Sequence, residues 1–396
     1  MVIAKPSQDG HRPQIIGVGA TSSTSGLRGG IVVDMQETAN NLRLALQQAE
    51  QMAGVSVSRA YVAVSGMHIK TQVSRGVVAV SRADRVISQN DVERVIQAAA
   101  ALNLPPNRRV IHTIPRSFVV DERDAVRDPV GMEGTRLEVD VLIVEGFEPH
   151  LQKVQRCVQE QGIEATELVY APLAASLTAL DRHQKEFGVM HLDFGGGTSS
   201  LAVFHEGELV HSVVIPIGSR HITHDLAILL RTTIDRAERI KLELGVTSEA
   251  DDRRKKDALD LSAYLDEQGS VARRSLVSAV DARVGELMDM VRAALKDSGM
   301  EGQLPSGVVL SGGGAVLPGF AMLVKDTVRL PVRMVRPMNV DAAVDTALDP
   351  AFAVPVGLVV WGFGREEDPI GKGLSGFEFK AAWLQRSWKW LKNFMP

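Results

Sequence analysis

Twice along this chain a short, mostly apolar run breaks into three consecutive glycines. The two stretches are "VMHLDFGGGTSS" (189–200) and "VVLSGGGAVLPGF" (308–320). Short apolar runs bounded by turn signals read as buried strands, and a glycine triplet lets the chain turn where a Cβ would collide. Two more strand runs follow the first turn, inside 189–218, and a helical run follows the second. Strand clusters alternating with helices indicate an α/β fold.

Consecutive glycines also let backbone N–H groups approach and cradle a phosphate. Asp193 is delivered to the first turn, formed by Gly195, Gly196, Gly197 and Thr198. A carboxylate there can hold Mg²⁺ directly or through water, because that ion takes oxygen ligands and keeps several waters. In the second turn, Gly312, Gly313 and Gly314 let the backbone lie flat against a nucleoside. Either turn alone is an ordinary hairpin. Two in one α/β body point to a split nucleotide site.

A chain of 396 residues is long for one core and predicts a bilobed body. Near residue 69 the texture changes to short β-like runs with one helix, "SQNDVERVIQAAAAL", begun by Ser88, which reads as an inserted subdomain. Leu276, Val280, Val284, Leu287, Val291 and Leu295 form one apolar helical stripe. Net charge is −4, so no global field recruits nucleic acid. A single cysteine, Cys157, excludes an intramolecular disulfide and suits a reducing cytoplasm. The start lacks a signal-peptide pattern, and "AFAVPVGLVVWGFG" (351–364) is too short to span a bilayer. "DFG" at 193–195 lacks a kinase's other motifs, "GKG" at 371–373 is no Walker A loop, and the histidines, His221 and His224 included, form no zinc set.

Together these residues resemble the actin-like ATPase superfamily, and within it the FtsA family of bacterial cell division. "LDFGGGTSSLAVF" resembles the second phosphate loop and "VVLSGGGAVLPGF" the adenosine loop. "AERIKLELG" (237–245) is similar to the helix whose Glu and Lys reach ribose and base, which assigns those roles to Glu238 and Lys241. "YVAVSGMHI" and "RVIHTIPRSFVV" look like the subdomain inserted in FtsA. The resemblance implies an actin-like bilobed fold with an inserted α+β subdomain in the first lobe and a C-terminal amphipathic helix. The implied division is a first-lobe core at 1–68 and 148–188 around an insertion at 69–147. A second-lobe core at 189–220 and 304–350 surrounds an outer subdomain at 221–303. A closing helix at 351–363, a linker at 364–376 and a terminal helix at 377–396 complete it.

The chain departs from the pattern twice. "MVIAK" resembles the second strand of the family, so a first strand and first phosphate loop are expected ahead of it; a start placed too late explains their absence. "VYAPLAASL" (169–177) puts Tyr170 and Ala171 where hydrolysing relatives carry an acid, so turnover is expected to be slow and ATP structural.

Three of the 4 tryptophans crowd the last turns. On a helix, Trp383, Leu384, Trp388, Trp390, Leu391 and Phe394 share one face, and Arg386, Lys389 and Lys392 lie opposite. That pattern predicts an interfacial helix in the headgroup layer of an anionic membrane. One such tail binds weakly once folding entropy is subtracted, and a polymer bearing many gains about 10²–10⁴ by avidity. The resemblance implies ATP and Mg²⁺ as cofactors. It implies as partners a second copy of the chain, other division proteins and the C-terminal peptide of FtsZ, with Arg283 and Glu286 as polar contacts. It places the protein peripherally on the cytoplasmic face of the inner membrane at the division site. A soluble ATPase or kinase of the same fold and an actin-like scaffold of a pilus or secretion machine are the alternatives.

Overall fold

The computed structural model describes residues 1–7, 12–23, 25–102, 104–123, 125–244, 258–260 and 270–366. The terminal helix expected at 377–396, with its tryptophans and cations, lies outside the described residues.

β1 (Val2–Pro6) and β2 (Pro13–Val18) pair antiparallel, with a bulge opposite Ile3 and Ala4 that leaves Ile16 without a partner. Bulges bend and twist a strand. Here Ile15 joins Val356 in one apolar cluster, and Gly17 meets α1 (Met35–Ala53). A Cβ on Gly17 would sit 2.3 Å from the carbonyl oxygen of Ala49, so the strand and helix backbones touch. Asp34 caps α1, accepting from the Glu37 N–H at 3.0 Å. The helix stops at Gly54, which takes φ 69° at no steric cost. β3 (Arg59–Val64) follows.

The insertion lays β4 (Lys70–Ala79), β5 (Arg108–Val120) and β6 (Arg136–Phe147) into a sheet with β6 central. α2 (Gln89–Ala100) starts at Ser88 and covers one face. Ile87, Val92, Val95 and Ile96 close a core of their own with Phe118, Leu137, Val139 and Ile143. That separate core is what a self-contained subdomain requires. After α3 (Glu148–Gln159), β7 (Glu164–Tyr170) returns to pair in parallel with β3.

α4 (Ala171–Ala179) is buried at every residue. It leads to the second lobe, whose sheet contains β8 (Val189–Phe194), β9 (Ser199–His205), β10 (Glu208–Ile215), β11 (Val308–Ser311) and β12 (Val332–Met334). Its order is β10-β9-β8-β11-β12, antiparallel up to β8 and parallel beyond it. α5 (Ser219–Leu230), α6 (Ile234–Leu244) and α7 (Arg273–Asp297) form the outer helical part, and the apolar stripe of α7 is buried against α5 and the sheet. α8 (Phe320–Val328) follows the second glycine turn.

α9 (Ala353–Glu366) closes the molecule across α4. A Cβ on Gly357 would stand 2.0 Å from the Ala174 carbonyl oxygen, so glycine sets that crossing. Trp361 is buried and its indole N–H donates to Glu167 at 3.1 Å. Among the described residues no helix is long and apolar enough to cross a membrane.

Overpacking a helix crossing costs about 1–3 kcal/mol. Gly357→Ala is therefore expected to lower the urea midpoint of unfolding by a corresponding amount, and an unchanged midpoint would show that α4 and α9 do not touch there.

Candidate functional site

β8 and β11 run parallel with Asp193 opposite Ser311, so both glycine turns leave the sheet at the same end. In open α/β sheets the crevice beyond the carboxyl ends of the strands is where ligands bind.

The first turn is held by a helix terminus. The Gly195 N–H donates to the Thr198 carbonyl at 3.1 Å. The carbonyls of Gly195 and Gly196 accept from the N–H groups of Ser219 (2.9 Å) and Arg220 (2.8 Å) at the start of α5. Two donors that a helix leaves unpaired are thus used to fix the loop. Gly218 lies against the turn so closely that a Cβ would be 2.5 Å from the Gly196 oxygen.

The second turn packs on the first. Gly314 N–H donates to the Phe194 carbonyl at 2.8 Å, and a Cβ on Gly314 would meet the Phe194 ring at 2.7 Å and Ser219 Cβ at 2.9 Å. Gly312 takes φ +89° with the Phe194 carbonyl 2.5 Å from where a Cβ would be. Gly196 and Gly313 are different. Their nearest neighbours lie 3.8 Å from an added Cβ, and neither has a left-handed backbone. Packing explains Gly218, Gly312 and Gly314, but it leaves Gly196 and Gly313 as bare backbone facing open space.

Between the turns stands a hydrogen-bonded line of three side chains. Ser311 Oγ donates to Asp193 Oδ2 at 2.7 Å, and His191 Nε2 lies 2.9 Å from the same hydroxyl. The one serine proton goes to the carboxylate, so Nε2 carries the imidazole proton. That leaves His191 Nδ1 buried without a partner. Burial, with Lys185 and Arg333 adding repulsion, pulls His191 down to about 3, so it is neutral. Burial pushes Asp193 above the usual carboxylate range, against the Ser311 hydrogen bond. A cation beside Asp193 would remove that penalty, so the donor set suits Mg²⁺.

α6 brings in the remaining pair. Lys241 is buried, with Nζ 2.7 Å from Glu238 Oε2, 3.0 Å from Thr223 Oγ1 and 3.4 Å from the Ser219 carbonyl. Ser219 thus touches Gly195, Gly314 and Lys241 at once. From the first lobe, the hairpin Leu27–Arg28 and Ile31–Val32 approaches the same turn, with Gly29 N 3.4 Å from a Cβ on Gly197.

The structure therefore brings together Asp193, Gly195, Gly196, Gly197, Thr198, Glu238, Lys241, Gly312, Gly313 and Gly314. Sequence reasoning missed Ser219, Ser311 and His191. Ser311 adjoins the second triplet and His191 shares a strand face with Asp193, but only strand register joins them. Arg283 and Glu286 lie apart on α7, beside a cavity of about 280 Å³. They are paired with each other, and Arg283 also holds Asp225 of α5 through Nε (2.7 Å) and Nη2 (3.1 Å). The bidentate bond to Asp225 makes Arg283 a fixed half-buried group. His221 accepts from the Gly218 N–H through Nδ1 at 3.1 Å, a helix-capping role.

Two α/β lobes facing each other across paired glycine turns define the actin-like class. Solved structures agree on the fold. The PilM-PilN type IV pilus biogenesis complex is similar at TM-score 0.64 and 18% identity, over 91% of this chain and 94% of that one. MreB5 of Spiroplasma citri bound to ADP is similar at TM-score 0.52 and 14% identity, over 87% and 81%. The SHS2 domain inserted in FTSA matches residues 66–145, and the cell division protein FtsA model matches 190–357. Cell division protein FtsA of Pseudomonas aeruginosa is 33% identical over 99% of this chain and 94% of its own length. That of Bacillus subtilis is 37% identical over 87% and 77%. The chain belongs to the FtsA family of cell-division proteins.

An unfolded histidine titrates near about 6.5. Below that pH the unfolded chain binds a proton that folded His191 refuses until about 3, so stability falls as pH falls through this window. The slope is about 1.4 kcal/mol per pH unit for each such group. His68, held near 4 by burial, His150 and Arg108, contributes alongside it. His191→Asn is expected to flatten, without abolishing, the decline in unfolding free energy between about pH 6 and 4.5. Superimposable profiles for the two proteins would mean that no neutral imidazole is buried there.

Proposed function

We propose that this chain binds ATP with Mg²⁺ between its lobes, polymerises with copies of itself, and lies peripherally on the cytoplasmic face of the inner membrane. There it tethers FtsZ filaments at the division site through its C-terminal amphipathic helix. The observation that carries the nucleotide part is the bare backbone at Gly196 and Gly313, two glycines that packing does not require, on turns leaving one end of the sheet. A related fold, MreB5 of Spiroplasma citri, has been seen bound to ADP, which supports the same use of the cleft.

In this reading, the backbone of Gly195, Gly196, Gly197 and Thr198 receives the phosphates and Asp193 holds the metal, directly or through water. Gly312 to Gly314 lie along the nucleoside, and Glu238 and Lys241 reach its ribose and base. The bound nucleotide supplies negative charge and hydrogen-bond acceptors that link the two lobes. Around it, Ser311 keeps Asp193 aimed, His191 steadies Ser311, and Thr223 and the Ser219 carbonyl hold Lys241 in place. Tyr170 and Ala171 offer no carboxylate to orient water, so hydrolysis is slow and ATP serves as a clamp. Arg283, preset by Asp225, and Glu286 take the FtsZ C-terminal peptide. Other division proteins join the same assembly.

Membrane attachment follows from number. Trp383, Leu384, Trp388, Trp390, Leu391 and Phe394 enter the headgroup layer, and Arg386, Lys389 and Lys392 meet anionic lipid, each cation adding about 1 kcal/mol at best. Avidity along a polymer then makes the weak tail effective.

Co-sedimentation with anionic liposomes and Mg·ATP tests this. The intact chain is expected to pellet with filaments visible on the bilayer, and a chain ending at Gly376 to stay in solution. Equal pelleting of both, or of neither, would contradict the tether.

A further inference from the structure

Arg220 stands where the first glycine turn meets the first lobe. Its backbone N–H donates to the Gly196 carbonyl at 2.8 Å, so the residue is built into the turn. Its side chain lies beside the same glycine, with Nη2 3.8 Å from where a Cβ on Gly196 would be. Nη1 lies 3.5 Å from the carbonyl oxygen of Leu27, in the hairpin of the opposite lobe. One guanidinium thus borders the bare backbone of Gly196 and reaches across the cleft. The hairpin it reaches is seated on the first lobe. Gly30, at φ +78°, would place a Cβ 2.5 Å from the Ser65 carbonyl oxygen, just past the end of β3. A group that fixes Arg220 against Leu27 therefore fixes one lobe against the other.

The order of groups along the cleft selects the part of a ligand that meets Arg220. From the second turn, Gly314 touches Phe194 and adjoins Ser219, Gly196 follows, and Arg220 with Leu27 comes last. A nucleotide with its nucleoside on the second turn and its phosphates on the first presents its terminal phosphate at that far end. Arginine suits this position. A guanidinium carries five donors in a planar fork, so Nη1 can serve Leu27 while the remaining donors meet phosphate oxygens. The Leu27 contact at 3.5 Å is at the outer limit of a hydrogen bond and holds the lobes weakly by itself.

We propose that Arg220 is the residue by which the cleft distinguishes a nucleoside triphosphate from a diphosphate. It pairs with the terminal phosphate and, from the same guanidinium, donates to the Leu27 carbonyl. A triphosphate then ties the first-lobe hairpin to the second-lobe phosphate turn, and a diphosphate leaves that link weak. This inference rests on the nucleotide reading above and adds to it a residue for specificity and for coupling the lobes.

The test uses the full chain with Mg²⁺ and either ADP or a non-hydrolysable ATP analogue. Binding is measured by calorimetry, and amide hydrogen exchange is followed over residues 27–33. The intact chain is expected to prefer the analogue by about tenfold or more, the scale of charge-assisted hydrogen bonds. The analogue, but not ADP, is expected to slow exchange in the hairpin by about threefold or more. Arg220→Gln is expected to bring the two affinities within about threefold of each other, chiefly by weakening the analogue, and to abolish the hairpin protection. Arg220→Lys keeps the charge without the fork, and is expected to retain part of the preference and lose the protection. Tm without nucleotide checks that both variants fold. An undiminished preference in Arg220→Gln, or hairpin protection by ADP equal to that by the analogue, overturns the proposal and leaves the nucleotide reading in place. So does equal weakening of both nucleotides, since Arg220 would then serve the turn and not the terminal phosphate. An intact chain that binds neither nucleotide overturns both readings.

Discussion

The parallel pairing of Val189–Phe194 with Val308–Ser311 is the contact on which the site depends. It sets Asp193 beside Ser311, and from that one register the two glycine turns emerge side by side. A slip of one residue would exchange the faces of the strand and separate the turns. The strands are distant in the chain, with the outer helices of the second lobe between them, so the register rests on apolar burial. Met190, Leu192, Val308, Val309 and Leu310 are inaccessible to solvent and divide between two filled cores on the two faces of the sheet, so a slip would force each core to accept the other's side chains.

Preorganisation of the turns follows from close approach. Gly218 against Gly196, and Gly312 and Gly314 against Phe194, bring backbone to within distances that no Cβ permits. The N-terminus of α5 then donates into the first turn, which positions Ser219 against Gly314 and Lys241. The charged groups are arranged on this frame. Asp193 carries its burial cost with one hydroxyl donor, a poor solution for a structural carboxylate and a suitable one for a group awaiting a cation. The metal part of the proposal rests on that imbalance, and the nucleotide part on the bare backbone at Gly196 and Gly313.

Much of this was legible in the sequence because the signals were local. Glycine triplets after apolar runs, Ser88 before helical periodicity, and the α7 stripe each announce an element within one continuous stretch of chain. What was not legible depended on pairing across the chain. The His191–Ser311–Asp193 line exists only through strand register, and the Arg283–Asp225 bond only because α5 crosses α7. Gly17, Gly218 and Gly357 look like ordinary glycines until the backbone opposite each is placed.

The two kinds of glycine in the second turn offer the most direct test of the site. Gly313 has no left-handed backbone, and an added Cβ would meet only Ala351 Cβ at 3.8 Å, so Gly313→Ala leaves packing intact and puts a methyl group on backbone that is otherwise bare. Mg·ATP binding should be measured by calorimetry on the intact chain and on this variant, with Tm recorded for both. The account predicts saturable binding to the intact chain and a loss of about tenfold or more in the variant at unchanged Tm, the scale of one blocked contact. Equal affinity in the two proteins would contradict the assignment of this turn to the nucleotide.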